Sequence, residues 1–181
     1  MTTNVCFALL DQAVIGGRGD LPVVEGMTHA RLLEEAAALA GVLHHLGVGA
    51  GTPVAIDLQR EADAVVAALA VARLGGVVTT EDPSTHDRPA EVGIVSAGST
   101  VAAGRHRVVR RDDGDPELPE AGTDLDWSAM LRAGREEPAA CRVLEPTAAY
   151  SPERSVAEQI ALLGTTAAPY GAGALRRLLQ V

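Results

Sequence analysis

The sequence predicts an α/β domain: a parallel or mostly parallel sheet with helices on both faces. Three observations carry this. A strand, Pro53 to Leu58, a helix, Glu61 to Leu74, and a second strand, Val77 to Thr80, follow one another with the spacing of a right-handed βαβ crossover. The middle helix is apolar nearly all round (Ala62, Val65, Val66, Leu69, Ala70, Leu74), which suits a helix buried on several sides. Apolar residues make up 47% of the 181 residues but aromatics only 2%, so the core must be built from Ala, Val and Leu. Side chains that small suit tightly apposed helices on a parallel sheet. A chain of this length is expected to be one domain, burying roughly two-thirds of its unfolded surface.

The remaining elements follow in order. Cys6, Phe7, Leu9, Leu10 and Val14 give residues 5–15 one apolar helical face, and Gly16-Gly17-Arg18-Gly19-Asp20 turns the chain into a short strand, Leu21 to Val24. The Arg-Gly-Asp tripeptide in that turn is read as turn chemistry, not as an adhesion motif. Thr28 caps the next helix, in which Leu32, Ala36, Leu39, Ala40, Leu43 and Leu46 recur at helical spacing until Gly47. His44 and His45 near its end point about 100° apart and cannot share a metal, so they are read as surface residues. Gly75-Gly76 closes the buried helix. Val92 to Val95 and Arg107 to Val109 read as further strands, and Asp112 to Gly122 as an acidic, Pro-rich surface loop. Asp126 to Ala133, with the only tryptophan, reads as a helix, Thr147 to Tyr150 as a last strand, and Pro152 to Leu163 and Gly173 to Leu179 as helices. Leu175, Leu178 and Leu179 are taken as an apolar face that a dimer could bury.

Charge and composition exclude several classes. A net charge of −9 argues against nucleic acid and anionic membrane, both of which select basic patches. The one basic cluster (Arg105, Arg107, Arg110, Arg111) runs straight into Asp112, Asp113 and Asp115 and reads as a solvated turn. No run of 18 apolar residues would span a bilayer, and the first residues lack the basic start and cleavage site of a signal peptide. Cys6 and Cys141 form no metal spacing and are expected as reduced thiols. The expectation is a cytoplasmic chain with no metal and no cofactor. Every one of the fifteen basic side chains is arginine. Arginine cannot exchange a proton near neutrality, so chemistry that needs a lysine has none to use. The Ala, Gly and Arg richness also suits a GC-rich coding sequence.

No Gly-x-Ser-x-Gly, His-Glu-x-x-His, Cys-x-x-Cys or Gly-x-Gly-x-x-Gly motif is present. The acid/base candidates are Asp57, Glu81, Asp82 and His86, at or just beyond strand C-termini, the edge where open parallel sheets bind ligands. Loop solvation and helix capping are the plainer reading of the same residues.

Four stretches, in order and spacing, resemble the N-terminal subdomain of the adenylate-forming enzymes, which include acyl-CoA synthetases and nonribosomal adenylation domains. These are MTHARL at 27–32, LGVGAGTPVAIDL at 46–58, EADAVVAALAVARLGGVVTTEDP at 61–83 and DLDWSAM at 124–130. The resemblance covers about the first 150 residues and leaves 151–181 as divergent C-terminal helices. It implies that family's α/β subdomain and, for adenylation, a Ser/Thr/Gly-rich loop with a lysine to cradle ATP phosphates and a second lysine further on. By spacing that loop should start at Tyr150, where the chain reads Tyr150-Ser151-Pro152-Glu153-Arg154. By letters it fits Gly164-Thr165-Thr166-Ala167-Ala168-Pro169-Tyr170-Gly171, with Ala167 for a glycine and Tyr170 for the lysine. The expectation is therefore a truncated relative that does not adenylate alone. Three roles stay open: a binding or assembly module joined to a homo-oligomer or a protein partner, or holding a small molecule; a repurposed cyclase- or lyase-type enzyme of secondary metabolism; or one half of a split ligase.

Overall fold

The structure, a computed structural model, describes residues 3–24, 26–79, 90–101, 105–115, 118, 122–165 and 168–181. A π-helical turn, Phe7–Asp11, runs into α1 (Gln12–Ile15), then a hairpin of β1 (Pro22–Val24) and β2 (Met27–Thr28), and α2 (His29–His45). Thr28 caps α2 as expected, its hydroxyl accepting from the Arg31 N–H at 3.2 Å. Next come β3 (Pro53–Asp57), α3 (Glu61–Leu74), β4 (Val77–Thr79), β5 (Val92–Ser96), β6 (His106–Arg110), β7 (Asp124–Asp126) and α4 (Trp127–Glu136). The chain closes with β8 (Ala149–Ser151), β9 (Arg154–Ser155), α5 (Val156–Leu163) and α6 (Ala172–Leu178). Thr80 lies outside the described residues.

β3 to β7 form a five-stranded sheet in the order β4-β3-β5-β6-β7, and every pairing in it is parallel. The α/β class is the expected one, and the two faces of the sheet are covered differently. Val54, Ile56, Val78, Val92, Ile94 and Val108 point into the main core, where the buried residues of α2 to α6 join them. Ala55, Val95 and Val109 alternate to the other face and pack with loop residues Ala90, Ala97, Val101 and Leu118.

The helical layer is set by close approach. α2 crosses α4 where each helix carries a glycine, and a methyl on Gly41 would collide with the Glu137 carbonyl, one on Gly134 with the Ala38 carbonyl. The loop after α4 is then pinned to α2 by the Ala139 N–H on the Ala37 carbonyl, 3.0 Å. α3 ends at Gly75, whose φ of 77° lies in the left-handed region that favours glycine.

One buried ion pair ties these parts together. Arg73, in the last turn of α3, donates to both Asp11 carboxylate oxygens (2.9 and 3.1 Å) and to the Ala139 carbonyl (2.7 Å). Beside it the Asn4 amide donates to the carbonyls of Ala72 (2.8 Å) and Arg142 (3.0 Å) and accepts from the Cys6 N–H (2.9 Å). The N-terminal helix, the end of α3 and the segment after α4 are thus one unit.

Three expectations are corrected. The expected last strand is a two-stranded hairpin, β8 with β9, separate from the sheet. The following helix starts at Val156 instead of Pro152, because Ser155 and Glu158 form a capping box: Ser155 Oγ accepts from the Glu158 N–H, and Glu158 accepts from the Ser155 N–H at 2.8 Å. Leu175 and Leu179 are not a free face: both are fully buried in this chain's own core, with Leu178 packed against it. The strand β7 was not foreseen. It is held by Arg107, which donates to both oxygens of Asp124 across the parallel pairing (2.9 and 2.6 Å).

Three outcomes follow from these contacts. Gly134→Ala and Gly41→Ala should each lower stability by about 1–3 kcal/mol or more in urea denaturation, while Gly49→Ala, whose methyl would meet only the Arg142 guanidinium at 3.9 Å, stays within about 0.5 kcal/mol. Asp11→Asn leaves the Arg73 guanidinium buried without its countercharge and should cost about 3–5 kcal/mol by the same measurement. Its hydrogen bonds to Arg107 hold the Asp124 carboxyl below its ordinary 3.8, so the stability it adds is present above the unfolded value and is lost as pH falls through the folded one. Asp124→Asn should therefore be less stable at pH 7 and show a shallower decline below about pH 5 than the wild type.

Candidate functional site

The order β4-β3-β5-β6-β7 reverses between β3 and β5, so the crevice beyond their C-terminal ends is the topological switch point. Asp57 ends β3 at this crevice, as the sequence suggests. Its Oδ2 accepts from the Ser99 hydroxyl at 2.7 Å, the Ser99 carbonyl accepts from Arg107 at 3.2 Å, and Ser96 Oγ accepts from the Gln59 N–H at 2.9 Å. Ser96 and Ser99 were missed as site residues. The rule that selects Asp57 selects them too, since they follow the strand Val92–Ser96 at its C-terminal end. A serine held by a carboxylate alone is a polar anchor; a nucleophilic serine needs an adjacent general base oriented by a third group. The other three acid/base candidates, Glu81, Asp82 and His86, lie outside the described residues.

The second place to examine is the pair of registers in which a phosphate-cradling loop was expected. In the first, Tyr150 is fully buried and its phenol donates to the Leu179 carbonyl at 2.8 Å. Burial pushes that phenol far above its usual range. Ser151 Oγ lies 2.7 Å from Gln180 Oε1 and donates to it. Pro152 has no N–H to offer, and Glu153 brings a negative charge. The cleft beside them, about 310 Å³, is lined by Val78, Glu153, Arg177 and Gln180 among others, with the Glu153 carboxylate on the wall where a phosphate would need cations. The hairpin turn is fixed from both sides, since Arg154 donates to Gln159 Oε1 (2.7 Å) and Gln159 to the Leu178 carbonyl (2.8 Å).

In the second register, Gly164 is the C-cap of α5, and the Thr165 hydroxyl donates to the Leu162 carbonyl at 2.7 Å. A helix C-terminus presents carbonyls and the negative end of the dipole, which repels an anion. Thr166 and Ala167 lie outside the described residues. The described residues of the two registers thus do not fit a triphosphate: their hydroxyls are committed within the chain, Glu153 offsets the nearby arginines, and neither register holds a lysine.

Among the described residues the thiols and histidines form no metal cluster. Desolvation pushes the Cys6 thiol up to about 12 despite the nearby Arg73, and the half-buried Cys141 thiol up to about 11. Thiols so perturbed are poor nucleophiles at neutral pH. His45 bonds Glu137 at 2.9 Å on the surface, joining the ends of α2 and α4. Among the described residues no three His, Cys, Asp or Glu side chains converge as a metal set would, and no helix is long and apolar enough to cross a membrane.

Comparison with known proteins places this arrangement in context. The chain is 36% identical over 90 residues to an acetyl-coenzyme A synthetase of Rhodopirellula baltica, a match covering 41% of this chain and 13% of that enzyme. The fold superimposes on an acyl-CoA synthetase of Brucella canis with a TM-score of 0.67 and 18% identity, over 83% of this chain and 31% of that one. It also superimposes on an anthranilate CoA ligase, solved in complex with anthranoyl-AMP, with a TM-score of 0.64 and 20% identity, over 83% and 32%. The chain therefore spans a third or less of the length of these relatives. The family model of the AMP-binding enzymes matches residues 12–172, the whole βαβ sheet and the hairpin included, and the chain belongs to that family.

Proposed function

We propose that this chain is a non-adenylating member of the AMP-binding family that works as a binding or assembly module. The observation that carries the reading is the commitment of the loop hydroxyls: Tyr150 to the Leu179 carbonyl, Ser151 to Gln180 and Thr165 to the Leu162 carbonyl. A phosphate cradle works through free N–H and O–H donors and a cation. Here those three hydroxyls are spent, Glu153 stands in the loop, and no lysine exists anywhere in the sequence. Residues 1–181 act as a single unit in this reading, with 151–181 serving to fill the loop region instead of to bind nucleotide. A cytoplasmic setting suits its two free, reduced thiols.

Pyrophosphate exchange tests it. The purified chain, with ATP, Mg²⁺ and a panel of carboxylic acids, should incorporate no labelled pyrophosphate into ATP above the protein-free blank, and Glu153→Gln should be equally inert. Exchange by the chain alone defeats the proposal. Exchange that appears only on mixing with a second chain carrying a phosphate loop also defeats it, in favour of a split ligase.

A further inference from the structure

A cleft of about 570 Å³ opens where α1, α2 and α4 meet. Val14, Ala30, Leu33, Ala37 and Pro138 line it, and Ala30, Leu33 and Ala37 recur along α2 at i, i+3 and i+7. Two large apolar side chains that are exposed among the described residues lie close to its lining residues in the chain. Ile15, 76% exposed, follows Val14, and Leu21 stands at the start of α2, its carbonyl accepting from the His29 N–H at 3.1 Å. The apolar surface thus extends beyond the cleft on the side of α1.

The charges around it identify what it suits. Arg31 and Glu34, both more than half exposed, pair at 3.3 Å on the lip of the cleft. Arg135 pairs with the buried Glu35 at 2.9 Å. Arg18 and Asp20 flank Gly19, whose carbonyl accepts from the Ala30 N–H at 2.9 Å. Three arginines therefore stand against three carboxylates, and this rim has no formal net charge in a chain of −9. A nucleic acid, an anionic membrane or an acidic peptide selects a surface of net positive sign, and a basic peptide one of net negative sign. Alternating signs with zero sum are complementary to themselves. A twofold axis across the lip sets Arg31 of each subunit against the partner's Glu34, and brings two −9 chains together at a neutral patch.

We propose that this surface is a homodimer interface, with Ile15 and Leu21 of each subunit covering the apolar floor of the other and Arg31 meeting the partner's Glu34. The proposal deepens the assembly-module reading and rests on it.

Sedimentation velocity on the full chain, from about 1 to about 100 μM, tests it. The wild type should sediment as a dimer within this range. Arg31→Glu and Glu34→Arg should each weaken dimerisation at least about tenfold, because like charges then face each other twice. An equimolar mixture of these two variants should recover the wild-type dimer, since opposite charges face each other again. Ile15→Ser, at a position too exposed to disturb folding, should abolish the dimer. A wild type that stays monomeric overturns the proposal, as does a dimer indifferent to Ile15→Ser and to both reversals, or a mixture that fails to re-pair. The two readings fail separately: a monomer leaves the non-adenylating assignment standing, and pyrophosphate exchange by the chain leaves the dimer standing.

Discussion

The close crossing of α2 over α4 is the constraint on which the rest of the structure depends. A core with almost no aromatic side chains gains its buried area from many small contacts, and these require backbones to approach closely. Gly41 and Gly134 permit that approach by leaving no Cβ in the path of the facing carbonyls. With α4 so near, the segment after it reaches the Ala37 carbonyl and the Arg73 guanidinium, and Arg73 in turn fixes the N-terminal helix through Asp11. A small-residue core therefore produces a polar clamp at its edge. The clamp is a positional device: a buried ion pair contributes little net stability, but losing one partner is costly.

The same packing decides how the sheet presents its ends. α2 to α6 all bury residues in one core, and β3 and β5 pair side by side at the switch point bordered by Asp57, Ser96 and Ser99. In the described residues this crevice is knit together by its own hydrogen bonds. The region after β8 is knit more tightly still, where Tyr150, Ser151 and Gln159 hold residues 178–180. On the proposed reading, the chain differs from an adenylating relative in the use made of these donors.

Much of this was legible in the residues. The βαβ unit, the Thr28 cap and the Gly75 stop are local signals, set by periodicity and backbone freedom, and they appear where the sequence puts them. The short strand β7 was not legible, because three residues, Asp124-Leu125-Asp126, are too few for a pattern to register and are held by an arginine seventeen residues earlier in the chain. Residues 152–155 read as the start of a helix, yet they form the turn and second strand of the hairpin, and the capping box of Ser155 and Glu158 starts α5 at Val156. Leu175 and Leu179 look like an unpartnered stripe in sequence, and only the tertiary contact of α6 with α3 explains their burial. Of the site, Asp57 was legible from its strand end. The occupied hydroxyls were not, because their acceptors lie up to 29 residues away.

Backbone amide shifts under titration with ATP and Mg²⁺ measure the central claim most directly, since they report on the loop itself independently of any acyl substrate. The committed hydrogen bonds predict that the amides of Ser151, Glu153 and Thr165 stay unmoved up to millimolar nucleotide. Saturable shifts at those three amides, with the Tyr150 and Ser151 hydroxyls released from Leu179 and Gln180, would contradict it.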